Sequence, residues 1–570
     1  MQSKETLKKA ASYLIFRDKK FFSLIITYGV IVALLNLALP LSIQVLITSI
    51  IYTAQITPVL ILGLILLFLI SFSALLGVLQ KFLIEIYKRS SFSRIASDIL
   101  LKAIYSDHQS FRAHNSSDLS SRYFEIFNIQ NNVSDIIVEG FLVLLTIIVS
   151  FILSSFYHPY FLILNLIILG IVWLSWSLFT KKAVGYAVAR SEAKFAVFAW
   201  IDDVFRMSGF FKSRTTKTYA LDKGLDLIKT YIRARCKYWN ISFTQLIILT
   251  LLYVAITVTL VTVGSILVIQ GQLSLGQLVA AEILYTTSLY GISKLSIYYD
   301  KYYNLMASLD EMSHVFVIDD EHFGKINSSP TPIQADNQNP IINFNNVSYT
   351  DDFGRSYFYN FAISKGQSNL ILTVDQNAKM ILTNLLNQYI HPDSGFVEFY
   401  GIHAADYDQH YLRDKIHMVN SSNIFGCTIG EFLQFGIADS MYNQINDILG
   451  ATGLSNFIHS LPKKYETMLI GDGYPLHEQQ IIILKIVKAI LINPEVIVIS
   501  EIFDRIDKKI QKQILDYITG STDITLICFS ENEDNHIHYD KFLLLASREA
   551  YHATDSSQFK MIVRKVLKES

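Results

Sequence analysis

The chain has 570 residues and a mass of 64.9 kDa, more than one compact domain ordinarily holds. Half of it is apolar (51%) and only 17% is charged, against about a quarter in soluble globular proteins, which excludes a disordered, collagenous or wholly soluble chain. Basic and acidic residues balance at 48 against 49, so no nucleic-acid partner is expected, and the three distant cysteines Cys236, Cys427 and Cys528 form neither a disulfide framework nor a metal-binding pair.

In chain order, residues 1–20 come first. The apolar stretch after them is too long for the core of a secretory signal and has no small-residue cleavage site. Leu7, Ala10, Ala11 and Leu14 share one helical face among lysines, so this segment is expected to lie as a helix on the cytoplasmic membrane surface.

Residues 21–319 hold three blocks free of Asp, Glu, Lys and Arg: Phe21–Gln80, Phe141–Thr180 and Ile241–Ala281. A spanning helix needs about 20 apolar residues, so each block is long enough for two spans. Breaks at Tyr52–Pro58, Tyr157–Pro159 and Gly271–Gly276 give six predicted spans, roughly 21–48, 58–82, 139–157, 159–181, 240–269 and 275–293. Lysines and arginines crowd the long connections 83–138 and 182–239 and the segment before the first span, and are absent from the short breaks. Positive-inside bias therefore places both termini and both long connections in the cytoplasm. Those connections are too long for ordinary loops and are read as helical extensions of the spans.

Residues 320–340 are polar, contain three prolines and read as a linker. From 341 to 570, short β-branched runs (Leu370–Val374, Glu495–Ser500, Ile524–Ser530) alternate with helical patterns over 378–389, 478–492 and 507–519. That alternation predicts an α/β domain on a largely parallel sheet.

Several segments then fall in a familiar order. In the membrane half they are LNLALPLSIQVLI (35–47) and VGSILVIQGQLSLGQLVAAEIL (263–284). In the soluble half they are NFNNVSYT (343–350), HPDSGFVEFYGI (391–402), IFGCTIGEFL (424–433), GLSNFIHSLPKKYETMLIGDG (453–473) and KAILINPEVIVISEIFDRID (488–507). On these the chain resembles a half-transporter of the ATP-binding cassette (ABC) exporter family, nearest to the haemolysin-type (type I secretion) and bacteriocin-export branch. The resemblance implies a six-helix membrane domain followed by a cassette of P-loop NTPase type, in a dimer through both domains. It also implies cell-membrane location, a peptide or protein substrate and a membrane-fusion adaptor as a further partner. No peptidase domain is expected ahead of the first span. Segments 107–122 and 198–214 stand where the family has its coupling helices.

The family's ATP and magnesium site, carried over position by position, is altered throughout. Its phosphate loop, GxxxxGK[ST], falls on TVDQNAKMI. Lys379 keeps the lysine, Thr373 and Ala378 replace the glycines, Met380 replaces the metal-binding hydroxyl, and Asp375 adds a carboxylate where phosphate would approach. Ser500 stands where a magnesium-orienting aspartate is expected, Glu501 keeps the general-base position and Asp507 the later aspartate. The signature loop LSGGQ reads Leu476, His477, Glu478, Gln479, Gln480, and Glu531 occupies the switch-histidine position. The glutamine that follows the motion-sensing strand corresponds to Asn420 or Ser421. Tyr349 is placed to stack an adenine or to pack at a strand end. Both halves of the usual composite site are affected, so a dimer with an intact partner would have two compromised sites. No metal site is expected, and ATP and magnesium binding is expected to be weak or absent.

In the membrane half Glu282 lies at depth in the sixth predicted span and is a candidate transport-path residue. The tyrosines Tyr298, Tyr299, Tyr302 and Tyr303 continue that helix inward as packing. Three functions follow: an exporter subunit with a cassette that does not hydrolyse ATP, an ATP-driven exporter with divergent motifs, or a membrane scaffold that keeps the exporter shape.

Overall fold

The computed structural model describes residues 19–36, 38–53, 56–112, 121–321, 340–373, 375–471, 473–531, 539–545, 550–553 and 555–569. The predicted surface helix at 1–20 therefore falls outside the description except for its last two residues, and most of the linker does too. Contacts divide the chain into two units, residues 1–321 and 322–570.

The first unit is helical. Helix α1 runs over Lys19–Asn36, α2 over Ala38–Thr53 and α3 over Ile56–Tyr105. Helix α4, Glu125–Asp135, passes through a π-helical turn at Ile136–Gly140 into α5, Phe141–Ser155. Three long helices follow: α6, Pro159–Arg206; α7, Arg214–Ile269; and α8, Leu275–Phe316. Local chemistry marks their ends. Pro159 opens α6 with His158 as N-cap. Ser213 caps α7, and Ser274 with Gln277 forms a capping box on α8 after a turn in which Gly271 takes a φ of +70°.

The first predicted span covers α1 and most of α2. Among the described residues, five segments are long and apolar enough to cross a membrane: Phe21–Ile47, Val59–Tyr105, Arg122–Ser155, Pro159–Arg206 and Arg214–Ile269. The sixth predicted span lies in α8 and is not among them. Its apolar residues are diluted by Gln277, Glu282, Thr286, Thr287 and Ser288, and most of that helix faces other helices, with Ala280, Ala281, Leu284 and Ser288 at 1% exposure or less.

The helices are tied by buried polar contacts. The Tyr285 hydroxyl donates to Asn165 Oδ1 at 2.7 Å, and Tyr303 bonds Gln245 at 3.0 Å. Tyr299, Tyr302 and Tyr303 surround Trp176 with ring centroids 4.9, 5.0 and 6.1 Å away. These three tyrosines of the cluster pack the α6–α8 contact.

The second unit begins with an antiparallel sheet in the order β2 (Ser356–Ser364), β1 (Pro340–Thr350), β4 (Ser394–Phe399) and β5 (Ile402–His403). A six-stranded sheet runs β12 (Ala550–Ala553), β11 (Lys541–Leu545), β3 (Ser368–Thr373), β10 (Thr525–Ser530), β9 (Val496–Ile499) and β6 (Ile416–Val419). It is parallel except for β12, and two short strands, β7 (Cys427–Thr428) and β8 (Met468–Leu469), pair antiparallel in a sheet of their own. Helices α9 (Gln376–Leu386), α10 (Glu478–Ile492), α11 (Lys508–Ser521) and α12 (Ser556–Glu569) cover the six-stranded sheet. Because strand side chains alternate, Ile371, Val498 and Ile527 join the core shared with β1, β2 and α9. Leu370, Leu372, Ile497, Ile499 and Leu526 join the core under α10, α11 and α12. Strands buried on both faces read as continuous β-branched runs, which is how the sequence shows them.

Candidate functional site

Strands β3, β10 and β9 lie side by side and parallel, with Leu372 opposite Ser530 and Cys528 opposite Ile499. Their carboxyl ends therefore bring Thr373, Glu531 and the pair Ser500–Glu501 to one edge of the sheet. In open α/β sheets that edge is where ligands bind.

Asp375 is the N-cap of α9. Its carboxylate accepts the Asn377 amide at 2.9 Å and the Tyr357 hydroxyl at 3.0 Å. A negative charge is favourable at a helix N-terminus, so this carboxylate occupies the position an incoming anion would take. Burial, then the neighbouring Asp375, pushes the Tyr357 hydroxyl up to about 12. Ala378 is 1% exposed and its carbonyl accepts the Tyr359 hydroxyl at 2.7 Å, so its Cβ is part of the core. Asp351 holds Arg355 at 2.9 Å, and with the Asn377 amide turned so that its oxygen faces the Arg355 guanidinium the two bond at 2.8 Å. The β1–β2 turn is thus bonded to the first turn of α9.

Lys379 forms an ion pair with Glu501. Both side chains are largely buried, at 17% and 25% exposure, so the lysine and the carboxylate satisfy each other. Ser500 closes β9 with its amide bonded to the Val419 carbonyl at 2.9 Å, and its buried Oγ has no hydrogen-bond partner. Met380 is 37% exposed. Its thioether is a soft donor, whereas magnesium takes hard oxygen ligands in octahedral array. Among the described residues no three His, Cys, Asp or Glu side chains are grouped to hold a metal ion. The donor set at this edge does not fit magnesium.

The remaining positions are engaged locally. His477 and Gln480 close the N-terminus of α10, where the Gln480 side chain accepts the His477 amide at 2.9 Å. Glu478, in the first turn, pairs with Arg505. Leu476 is buried at 6%, and Gln479 follows Glu478 in α10. Asp507 caps α11 by accepting the Lys509 amide at 2.8 Å, and the Glu531 amide donates to Asp504 at 3.0 Å. Tyr349 is partly buried against the core, with burial raising its hydroxyl.

Sequence reading missed the partners. Arg355 and Tyr357 stand outside the familiar segments, Asp504 and Arg505 lie within one of them but at positions given no role, and only folding brings the four to the site. Lys485 was missed as well. Its ammonium donates to the Ser421 and Asn423 carbonyls at 2.7 and 3.0 Å, and burial lowers its pKa. One signal was available: α10 is apolar almost throughout, so a lysine within it needs buried acceptors.

In the helical unit Glu282 is exposed on α8, and its neighbours Ile283 and Leu284 line a cavity of about 640 Å³.

Residues 22–290 match the family model of the ABC transporter transmembrane region. A lactococcin-G processing and transport ATP-binding protein of Lactococcus lactis subsp. lactis is 27% identical over 279 residues, which is 48% of this chain and 38% of that protein. A lactococcin-A transport/processing ATP-binding protein from the same organism is 22% identical over 90% of this chain and 72% of its own length. Against three uncharacterised ABC transporter ATP-binding proteins of Bacillus subtilis, the chain spans 44% to 45% of their length. Among solved structures, a bacterial Atm1-family ABC exporter with ATP bound superposes with a TM-score of 0.79 at 17% identity, covering 98% of this chain and 97% of that one. Residues 22–290 are thus similar to the ABC transporter transmembrane region, and the chain has the fold of an ABC exporter.

Proposed function

We propose that the chain is the membrane subunit of an exporter that moves a peptide or protein outward across the cell membrane. It works as a dimer, with itself or with a competent partner, both termini in the cytoplasm, and its own cassette does not hydrolyse ATP at a useful rate. The export reading is supported by the transmembrane family match, by the exporter fold and by relatives whose names describe bacteriocin transport. The reading of the cassette is carried by one observation: Lys379 is bound to Glu501. The residue that would hold phosphate and the one that would activate water neutralise each other. Asp375 supports the same conclusion, since its carboxylate fills the N-terminus of α9. A phosphate brought there would meet a like charge and would compete with an intramolecular bond already made.

The test is the ATPase rate of the purified chain in lipid nanodiscs, alone and co-purified with its native partners. The chain alone is expected to show no magnesium-dependent turnover above that of Glu501→Gln. A vanadate-sensitive turnover lost in Glu501→Gln would overturn the reading.

A further inference from the structure

The helical unit has a partly open cavity of about 640 Å³ between α1, α2, α3, α5 and α8, within the size range of ligand pockets. Leu35, Ile70, Leu142 and Ile283 supply apolar wall. Apart from Thr146 and Thr287, whose hydroxyls bond back to carbonyls of their own helices, polar groups stand at two separate levels. At one end is Lys294, half-buried, its ammonium 4.4 Å from the Tyr290 ring and without a carboxylate partner among the described residues. Glu139 is at the same end and accepts the Tyr298 hydroxyl at 3.4 Å. At the other level is Ser150, which lines the cavity, is 1% exposed and has an Oγ with no hydrogen-bond partner. Ser150 lies eleven residues on from Glu139, through the π-helical turn into α5, roughly 16 Å of helix rise.

A buried hydroxyl without a partner is destabilising, and a ligand supplying the missing bond would remove that cost. An acyl chain has no donor or acceptor that far from its head group. An extended peptide carries an amide in every residue, about 3.3 Å apart, and so meets both levels. The free ammonium at the other end selects charge.

We propose that this cavity binds an extended apolar peptide segment, with a backbone amide at Ser150 and an acidic group at Lys294. The proposal rests on the peptide-export reading and narrows it to segments that are apolar and end or turn at a carboxylate.

The test uses the full chain in nanodiscs and two dye-labelled synthetic peptides of leucine, valine and alanine, one ending in glutamate and one in glutamine, both amidated. The glutamate peptide is expected to bind about tenfold more tightly, as one retained charge pair would give. Lys294→Met should abolish that preference and Lys294→Arg should keep it. Ser150→Val should weaken both peptides several-fold and leave the preference intact. Equal binding of the two peptides to the parent chain, or a preference that survives Lys294→Met, overturns the proposal. So does a fatty acid that displaces the peptide equally from the parent and Ser150→Val chains, which would mark a lipid site. Uptake of the same peptides into inverted vesicles separates the two readings. Binding that obeys these rules without uptake keeps the site and sinks export. Uptake unchanged in both Lys294→Met and Ser150→Val keeps export and sinks the site.

Discussion

At the residue scale the Lys379–Glu501 pair decides what the cassette edge is. A lysine kept for phosphate would be dispensable for stability, because its partner would be a ligand. Here its partner is a carboxylate only 25% exposed. Removing one member of a largely buried pair strands the other, and the cost is the desolvation of an unpaired charge rather than the worth of the pair. Lys379→Met is expected to lower the stability of the cassette by about 1–3 kcal/mol, and the double substitution with Glu501→Gln to recover most of that. A double-mutant cycle read by urea denaturation measures it. Additive effects, or a Lys379→Met chain as stable as the parent, would show that the two side chains do not depend on each other.

At the element scale, the part of α8 beyond its apolar stretch is held by buried charge. Glu311, its side chain 2% exposed, lies 3.5 Å from Arg122, just ahead of α4. Glu125 on α4 binds Lys194 of α6 and accepts the Ser308 hydroxyl of α8. Burial raises Glu311 to about 7 from 4.5, and the charge of Glu125 adds to the rise while Arg122 and Lys194 oppose it. Since the folded value is the higher one, the contribution of this group to stability is complete below about 4.5 and is lost as pH climbs towards 7. That interval corresponds to roughly 3 kcal/mol at most. Melting temperature should therefore fall between pH 5 and about 8 in the parent, and Glu311→Gln should flatten the curve and melt higher at the alkaline end. Parallel curves for the two chains would remove Glu311 as the cause. Sequence showed the elements of this region better than their contacts. Charge-free runs located the apolar helices, and β-branched runs located β3, β9 and β10. Arg122 with Glu311 and Lys379 with Glu501 are more than a hundred residues apart, so no local spacing could announce them.

At the scale of the whole molecule, each unit has cores of its own. Those of the cassette centre on both faces of its six-stranded sheet, and those of the helical unit on α6–α8 and on α3, α4 and α8. A ligand of the cassette should then raise the melting of the cassette and leave the helical unit where it was. A nucleotide present at about a hundred times its dissociation constant would add roughly 2.7 kcal/mol, several degrees for a domain of some 230 residues. With Asp375 on the α9 N-terminus and Lys379 on Glu501, millimolar MgATP is expected to move the cassette transition by less than about one degree, whether or not magnesium is present. Tyrosine fluorescence and light scattering on the same sample would follow the transition. A shift of several degrees that needs magnesium and vanishes in Lys379→Met would mean that nucleotide displaces Glu501 from the lysine. The ion pair would then be the resting state of a working site. No shift, together with export by the intact dimer, would place the energy for transport outside this cassette, in its partner.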